Sequence, residues 1–428
     1  MRIFNQFSLL TVASVTLGWL TMAQANAASF TFTKIADTQS DFTSLENGIA
    51  LNDSGVVSFV GTKPTTRGVF TGNGSAIATI IDATNLPSLF PPGSLTYIPD
   101  SYPPNTYSFG SSTAINNQGT VLFTATDSGS FTQATISSAE QALFQSRNGS
   151  ISQVGTLKSN LSSGQGSSQI YTSFDINDSD QLLTSVLQSY YFFRPGNQTT
   201  IVLDGKTIAQ ASSVAYGPQA KVYAPVINNQ GTVFYALSAS PSTSFTPLMS
   251  NILYVFNNGV VKNAVVDRQV SLKTLAANDS SAVFSGTVSS VIYGNEPDES
   301  GIFQVENGVA KRIFDGTADS IDINNQGVVA FDADNKISIL SNGVSEQIIG
   351  SGDSLLGSTV QSVFFPSSKS LNNAGQLAFY AQLADGTKGI FRADPISTKV
   401  PEPTAILGLV AIAGLGISSR RRDRRSSQ

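Results

Sequence analysis

Three features of this sequence predict an all-β fold, a seven-bladed β-propeller of four-stranded antiparallel blades. The first is a recurring segment, AINNQGTVLFTA at 114–125, VINNQGTVFYAL at 226–237 and DINNQGVVAFDA at 322–333. The second is a set of fainter copies, which give seven in all with a period near fifty residues, typical of propeller blades. The third is an Asn-Gly hairpin signal between apolar alternations after most copies.

Each copy is predicted to form a tight turn, the box turn, between the first and second strands of a blade. Its leading asparagine can close an Asx turn, and the glycine three residues later can take a positive φ. Asp180 in the third copy and Ser281 in the fifth replace that glycine, so these two turns should be less regular. The leading asparagines are Asn52, Asn116, Asn177, Asn228, Asn278, Asn324 and Asn372.

The sixth unit shows the expected blade most clearly. Its alternation points Phe331, Val329 and Ile323 toward a core between blades. A lone four-stranded sheet cannot bury both faces, so the blades must stack. The four strands of this unit are expected at 319–323, 328–333, 336–340 and 344–350.

The seventh unit stops before a fourth strand, which raises the question of how the ring closes. The N-terminal segment SFTFTKIADT (29–38) resembles the missing strand. We therefore predict that residues 30–37 pair with residues 388–393, so that the N-terminal strand completes the last blade.

Alternate connections of a meander lie on opposite faces, which separates the short turns from the long insertions. The box turns and the Asn-Gly turns share one side, here called the turn face. The opposite side, the loop face, carries the insertions and is the expected binding face, because ligand sites favour loops on a rigid scaffold. The insertions are 84–111, 126–139, 238–250 and 287–299.

Composition restricts the chemistry available to this chain. Cysteine and histidine are both absent, which excludes disulfides, thiolate nucleophiles, imidazole bases and Cys/His metal sites. Catalysis would rest on Asp, Glu, Lys, Tyr or Ser, and a metal would be a hard cation with oxygen ligands. Only 12% of the residues are charged, which suits a β-rich exterior of hydroxyls and amides.

The N-terminal 27 residues have the features of a signal peptide. Arg2 supplies the positive start, residues 7–22 are apolar, and Ala25 and Ala27 fit the small-x-small cleavage rule. We expect residues 1–27 to be removed after Sec-dependent export, which leaves a propeller domain at 28–396. A retained signal anchor is the alternative.

The C-terminal segment 397–428 reads as a sorting signal. Pro401, Glu402 and Pro403 precede an apolar stretch at 404–419, and an arginine cluster follows, so the helix would hold the chain in the inner membrane before processing. This order resembles the PEP-CTERM signal, which implies exosortase as a partner and an exported, surface or extracellular location. A plain membrane anchor is the alternative. The cluster consists of Arg420, Arg421, Arg422, Arg424 and Arg425.

The box turns resemble the tandem NxxGxxAF repeats of exported bacterial proteins. Asn324 with Gly327, Ala330 and Phe331 matches in full, and the copy that begins at Asn372 does so too. This resemblance covers the whole propeller region and implies no activity.

Charge argues against nucleic acid as a partner. Without Arg2, the five tail arginines and Asp423, 18 basic and 28 acidic residues remain. A body this acidic does not favour polyphosphates or anionic headgroups through bulk electrostatics.

The insertion at 84–111 holds the candidate binding residues Tyr97, Tyr102 and Tyr107. Tyrosine rings can stack on the apolar face of a sugar while their hydroxyls bond outward. The alternative is a proline-stiffened loop that buries its aromatic residues locally.

No cofactor is expected, and calcium is the one metal that the sequence leaves open. Carboxylates gather at Glu296, Asp298 and Glu299, which could bind Ca²⁺ or form an acidic solvated loop. Asp175 and Asp322 begin segments similar to a calcium loop, but no glutamate stands at the twelfth position. Hairpin turns explain all seven copies, of which only these two begin with aspartate.

Two functions remain open at this point. The first is a non-enzymatic surface or matrix propeller that contacts extracellular polysaccharide. The alternative is a lyase or glycosidase that uses tyrosines and carboxylates of the loop face. No catalytic residue can be selected, because the sequence singles out no pair of carboxylates across a cleft.

Overall fold

The ring of blades is visible in the computed structural model of the chain. The propeller segments that it describes are all β apart from a short 3₁₀ turn at Leu86–Leu89. No helix within these segments is long and apolar enough to cross a membrane. The predicted signal peptide and sorting signal lie outside the described residues. Those residues are 30–90, 106–131, 136–162, 165–190, 196–212, 222–239, 250–265, 268–290, 298–366 and 369–396.

Seven antiparallel blades follow a single closing strand, β1 (Phe30–Asp37), which confirms the predicted fold. Blade 1 contains β2 (Ser44–Leu45), β3 (Ala50–Leu51), β4 (Val57–Thr62), β5 (Arg67–Gly72) and β6 (Ile77–Asp82). Blade 2 contains β7 (Thr106–Ile115), β8 (Val121–Phe131), β9 (Ile136–Arg147) and β10 (Ser150–Ser162). Blade 3 contains β11 (Gln165–Ile176), β12 (Leu182–Tyr190), β13 (Gly196–Leu203) and β14 (Lys206–Ser212).

The remaining blades repeat this meander. Blade 4 contains β15 (Val222–Ile227), β16 (Val233–Ala239), β17 (Ser250–Asn257) and β18 (Val260–Asn263). Blade 5 contains β19 (Arg268–Ala277), β20 (Ala282–Ser290), β21 (Glu299–Glu306) and β22 (Val309–Phe314). Blade 6 contains β23 (Ser320–Ile323), β24 (Val329–Ala333), β25 (Lys336–Ser341) and β26 (Val344–Gly350). Blade 7 contains β27 (Ser354–Leu355), β28 (Ser358–Phe364), β29 (Leu377–Leu383) and β30 (Lys388–Pro395).

The ring closes as the sequence predicts. Strand β1 pairs antiparallel with β30, with Phe30 opposite Pro395 and Asp37 opposite Gly389. Blade 7 therefore takes its fourth strand from the start of the chain, and the two ends of the domain are held together by backbone hydrogen bonds.

Aromatic stacking repeats in the core between blades. In blade 2, Phe123 on β8 stacks on Phe144 on β9 with ring centroids 5.5 Å apart. Blades 1, 4, 5 and 7 place an aromatic pair on the two strands that correspond to β8 and β9, with ring centroids 5.2–5.7 Å apart. In blade 6, Phe331 joins Ile323 and Val329 in one buried cluster, which confirms the predicted orientation of these side chains.

Two pairs of neighbouring blades merge into longer sheets. Strands β10 and β11 join blades 2 and 3 into eight strands, and a single pairing between β17 and β19 joins blades 4 and 5. The insertion at 126–139 was expected to be a loop, but β8 extends to Phe131 and β9 begins at Ile136. That expectation was wrong, because the hydroxyl-rich segment continues the β ladder outward.

The two atypical box turns behave differently from each other. Asp180 takes a φ of 59° and its N–H donates to Asn177 O, as the glycines do in other copies. The expectation of an irregular third turn was therefore wrong, because aspartate tolerates the left-handed region better than most residues. At the fifth turn, Asn278 N–H donates to the carbonyl three residues on, whereas the other six copies reach the fourth.

Candidate functional site

The seven box turns meet around the axis of the propeller and form a closed ring of hydrogen bonds. The side-chain amide of each leading asparagine donates to the carbonyl of the leading asparagine in the next blade. Asn372 donates to Asn52 O at 3.0 Å and completes the circle. None of the seven side chains is more than 7% exposed.

The same asparagines also hold their own turns. In the sixth copy, Asn324 Oδ1 accepts hydrogen bonds from the backbone N–H groups of Gln326 at 3.1 Å and Val328 at 3.0 Å. Both the donor and the acceptor of the amide are therefore used, which explains why the position is asparagine in all seven blades.

A second closed ring lies on the neighbouring residues. The backbone N–H of each residue after a leading asparagine donates to the side-chain oxygen of its counterpart in the next blade. Amide groups such as that of Asn117 also bridge to carboxylates on both sides, at 2.7 and 2.8 Å. These residues are Asp53, Asn117, Asp178, Asn229, Asp279, Asn325 and Asn373.

The two rings surround the turn-face end of the axial channel, and their residues line a narrow cavity there. Their carboxylate and amide oxygens already accept hydrogen bonds from N–H groups. These residues therefore hold neighbouring blades together and do not form a ligand site. Within the described residues, no group of three or more carboxylates is placed to hold a metal ion.

Two buried carboxylates and one lysine line the same narrow cavity, which has a volume of about 70 Å³. Asp322 accepts backbone N–H groups of Ser370 and Leu371 at 2.7 Å each, and burial raises its pKa to about 6. Asp175 accepts from Ile176 at 2.8 Å, and burial raises the pKa of its carboxyl as well. Asp175 and Asp322 therefore accept hydrogen bonds from backbone N–H groups, whereas in a calcium loop these carboxylates would bind the ion.

Lys369 connects this narrow channel to a larger cavity at the loop face. Its ammonium lies 3.9 Å from Asp175 Oδ1, and its backbone φ is 62°. A left-handed lysine is uncommon, and backbone strain of this kind concentrates at functional sites. Lys369 and Asp175 line both cavities.

The larger cavity, here called the loop-face pocket, has a volume of about 310 Å³. Its walls come mainly from the first strands of blades 2 and 3, with further residues on or beside β3 of blade 1 and β15 of blade 4 and in the segment before the seventh box turn. Hydroxyls dominate the lining, and the Ser173 Oγ is buried without a hydrogen-bond partner among the described residues. Its polar lining includes Ser111, Ser112, Thr113, Thr124, Gln141, Thr172 and Ser173.

The candidate tyrosines are only partly within the described structure. Tyr97 and Tyr102 lie outside it. Tyr107 is half-buried on β7 and packs against Phe90 with centroids 5.6 Å apart, outside the loop-face pocket. Of the acidic segment, Glu296 lies outside the described residues, and Glu299 pairs with Arg268 at 3.2 Å.

A second polar cluster crosses blade 2 in a single row. Tyr107, Asp127, Glu140 and Lys158 are register partners on β7, β8, β9 and β10. Thr156 donates to Glu140 Oε1 at 2.9 Å, and the Lys158 ammonium lies 3.8 Å from Oε2. Asp127 and Glu140 are 1% and 3% exposed, so the pair is enclosed in the sheet.

Comparison with known proteins adds little to this geometry. One family, described as a family of unknown function (DUF7453), matches residues 358–407, which include most of blade 7 and the Pro-Glu-Pro motif. A search of curated proteins found no match.

Solved structures with some similarity include three proteins. The extracellular domain of a one-component system from B. thetaiotaomicron is 10% identical with a TM-score of 0.36 and covers 85% of this chain. This chain spans only 39% of that protein's length. A Hadza microbial sialidase is 8% identical with a TM-score of 0.34, over 84% of this chain and 67% of the sialidase. A Trypanosoma rangeli sialidase is 10% identical with a TM-score of 0.33, over 88% and 58%. Similarity at this level identifies no ligand or activity in this chain.

The residues of the loop-face pocket escaped the sequence interpretation for a physical reason. Most of them occupy equivalent positions, two to six residues before a leading asparagine, but the residue type at those positions changes from blade to blade, so the repeat does not reveal them. For Lys369 the sequence offers one weak indication of a functional role, because a single positive charge stands three residues before the leading asparagine of the seventh box turn.

Proposed function

We propose that this protein is an exported, non-enzymatic propeller that binds a hydroxylated part of an extracellular polysaccharide in its loop-face pocket. The observation that carries the proposal is the contrast between the two ends of the axial channel. At the turn-face end, two rings of inter-blade hydrogen bonds engage the polar groups around a narrow cavity, whereas a larger pocket with many hydroxyls lies toward the other end. Its volume of about 310 Å³ lies at the lower end of the usual range for small-ligand sites.

The lining chemistry supports a sugar as the ligand. Solvent-exposed Ser111 and Ser112 can both donate and accept hydrogen bonds, as sugar hydroxyls require. The Thr172 hydroxyl donates to Ser185 O and can still accept a hydrogen bond. Pro225 and Pro366 add apolar surface beside them, against which ring C–H groups can pack.

The position of the chain ends supports display at a surface. Phe30 and Pro395 are opposite each other, and the Pro395 ring lies 3.5 Å from the Cβ that a side chain at Gly375 would have, in the last box turn. Both ends therefore leave the domain on the turn face. In the proposed pathway through Sec and exosortase, a tether at 397–428 would hold this face toward the membrane and present the pocket outward.

Glycan binding by the purified protein tests this function. We expect wild-type protein to bind oligosaccharides from the native matrix without releasing products. Ser111→Trp, which places an indole in the pocket, should abolish binding, whereas Ser345→Trp on the exposed outer strand of blade 6 should not. Undiminished glycan binding by Ser111→Trp would show that the loop-face pocket is not the binding site.

The enzymatic alternative rests on the acid pair in blade 2. Asp127 and Glu140 are directly opposite on adjacent strands, and retaining glycosidases use two carboxyl groups that lie close together. The near-complete burial of Asp127 and Glu140 argues against contact with a polymer. Release of reducing ends by wild-type protein, lost in Glu140→Gln, would favour this alternative.

A further inference from the structure

The ammonium of Lys369 is the least satisfied charged group of the loop-face pocket. Among the described residues its nearest acidic oxygen is Asp175 Oδ1 at 3.9 Å, beyond hydrogen-bonding distance. An ammonium carries three donors, and burying them without partners is costly. The side chain is 28% exposed and lines the cavity, so its donors can be reached from the pocket.

The two nearby carboxylates are already bound to backbone donors. Asp322 accepts three N–H groups, from Ile323, Ser370 and Leu371, at 2.7–2.9 Å. Asp175 accepts from Ile176 and, at 3.4 Å, from Ile227. Burial also raises the pKa of both carboxyls, which weakens their negative charge toward mildly acidic pH. These acids therefore leave hydrogen-bonding capacity on Lys369 for a ligand.

We propose that the loop-face pocket takes a uronate, a sugar whose ring carries a carboxylate, with that carboxylate on the Lys369 ammonium. The ring hydroxyls would meet Ser111, Ser112 and Thr172. This inference rests on the proposed function and specifies the ligand class of the same site.

Calorimetric titration of the full propeller with sodium glucuronate and with glucose tests the proposal. The two sugars differ at one carbon, so the difference in affinity isolates the carboxylate. We expect glucuronate to bind about tenfold more tightly, which corresponds to about 1.4 kcal/mol. Lys369→Met should remove this preference, whereas Lys311→Met on the exposed outer strand of blade 5 should leave it unchanged.

Salt provides a second measurement that needs no variant. Raising NaCl from about 50 mM to about 500 mM should weaken glucuronate binding and leave glucose binding almost unchanged. Equal affinity for the two sugars, or a preference that survives Lys369→Met, would overturn the uronate proposal while the binding function stands. Failure of both sugars and of matrix oligosaccharides to bind would instead overturn the proposed function.

Discussion

The turn face and the loop face of this propeller are built from the same seven repeats. They differ in whether equivalent positions of the seven blades carry the same residue. On the turn face, the same asparagine makes the same inter-blade hydrogen bond seven times. On the loop face, strands β8 to β13 extend well beyond their counterparts in blade 6. The pocket there is lined at equivalent positions by different residue types, such as Ala50, Ala114 and Asp175, each two residues before its leading asparagine.

This difference shows how a repeat fold can divide stability from binding. On the turn face, closed circles of hydrogen bonds hold the seven blades together, so each blade must keep the leading asparagine of its box turn. The loop face carries no such shared bond, so its residues are free to vary and to form a pocket.

The largest effect should come from removing the closing strand. Deleting residues 30–37 leaves the outer edge of β30 without its partner strand. It also uncovers the core around Phe379, whose ring centroid lies 6.0 Å from that of Phe32. The loss should rival the whole stability of a domain, about 5–15 kcal/mol, so we expect no cooperative unfolding transition in a calorimeter. A chain that lacks only residues 1–27 is the control, and restored folding with a peptide of residues 28–38 would support the closure.

Cutting one link of the asparagine ring should have the next largest effect. Asn324→Ala removes one buried and two partly buried hydrogen bonds, to Asn372 and to Gln326 and Val328 respectively. At about 1 kcal/mol each, we expect a loss of about 3 kcal/mol in the free energy of unfolding, measured by urea titration.

Asn342→Gly is the matched control for this variant. It alters an exposed Asn-Gly turn on the same face, at a φ of 51° that glycine accepts. Its effect should stay within about 0.5 kcal/mol. An equal loss in both variants would mean that the ring adds nothing beyond ordinary turn stability.

Stability should depend on pH through the buried acids of blade 6. The pKa of Asp322 is raised to about 6 by burial, and that of Asp332 is raised to about 6 by burial and by Asp319. Because the pKa in the folded state exceeds the unfolded value of 3.8, ionisation of these carboxyls destabilises the folded protein. The free energy of unfolding is therefore highest below about pH 4 and falls as pH rises through 6.

We therefore expect the free energy of unfolding to fall by about 1–3 kcal/mol between about pH 4 and pH 6.5. Asp322→Asn should reduce that slope. Asp37 is not part of this window, because hydrogen bonds from Lys34 and Ser40 outweigh its burial and lower its pKa. A slope that is unchanged in Asp322→Asn and in Asp332→Asn would contradict the assignment.

The smallest effect should come from a turn glycine. Gly327 has a φ of 77°, and an added Cβ would meet nothing within 4 Å, so only backbone strain opposes substitution. Gly327→Ala should cost about 1 kcal/mol in chemical denaturation. Gly327→Asn should cost less, as the left-handed Asp180 suggests, and a neutral alanine would contradict this explanation.

The sequence predicted the blade count and the closure because both depend on local, repeated signals. Asn177 and Asn278 kept the box position even where the glycine was lost, and the segment at 30–37 kept the alternation of a fourth strand. The inter-blade bond of each asparagine was missed, because a turn signal does not reveal which carbonyl its amide faces.

The pocket could not be predicted for a related reason. Gln141, Tyr171 and Lys369 become neighbours only after blades 2, 3 and 7 are arranged around one axis. Similarly, Asp127 and Glu140 face each other only because β8 and β9 extend as a ladder through a segment that was expected to be a loop.

A crystal structure of the protein soaked with uronate-containing oligosaccharides from its native matrix tests the central claim most directly. We predict electron density for a sugar ring in the loop-face pocket, with an acceptor oxygen within hydrogen-bonding distance of the Lys369 ammonium. Sugar bound at the rings of the turn face or along an outer strand, with the loop-face pocket empty, would contradict the claim.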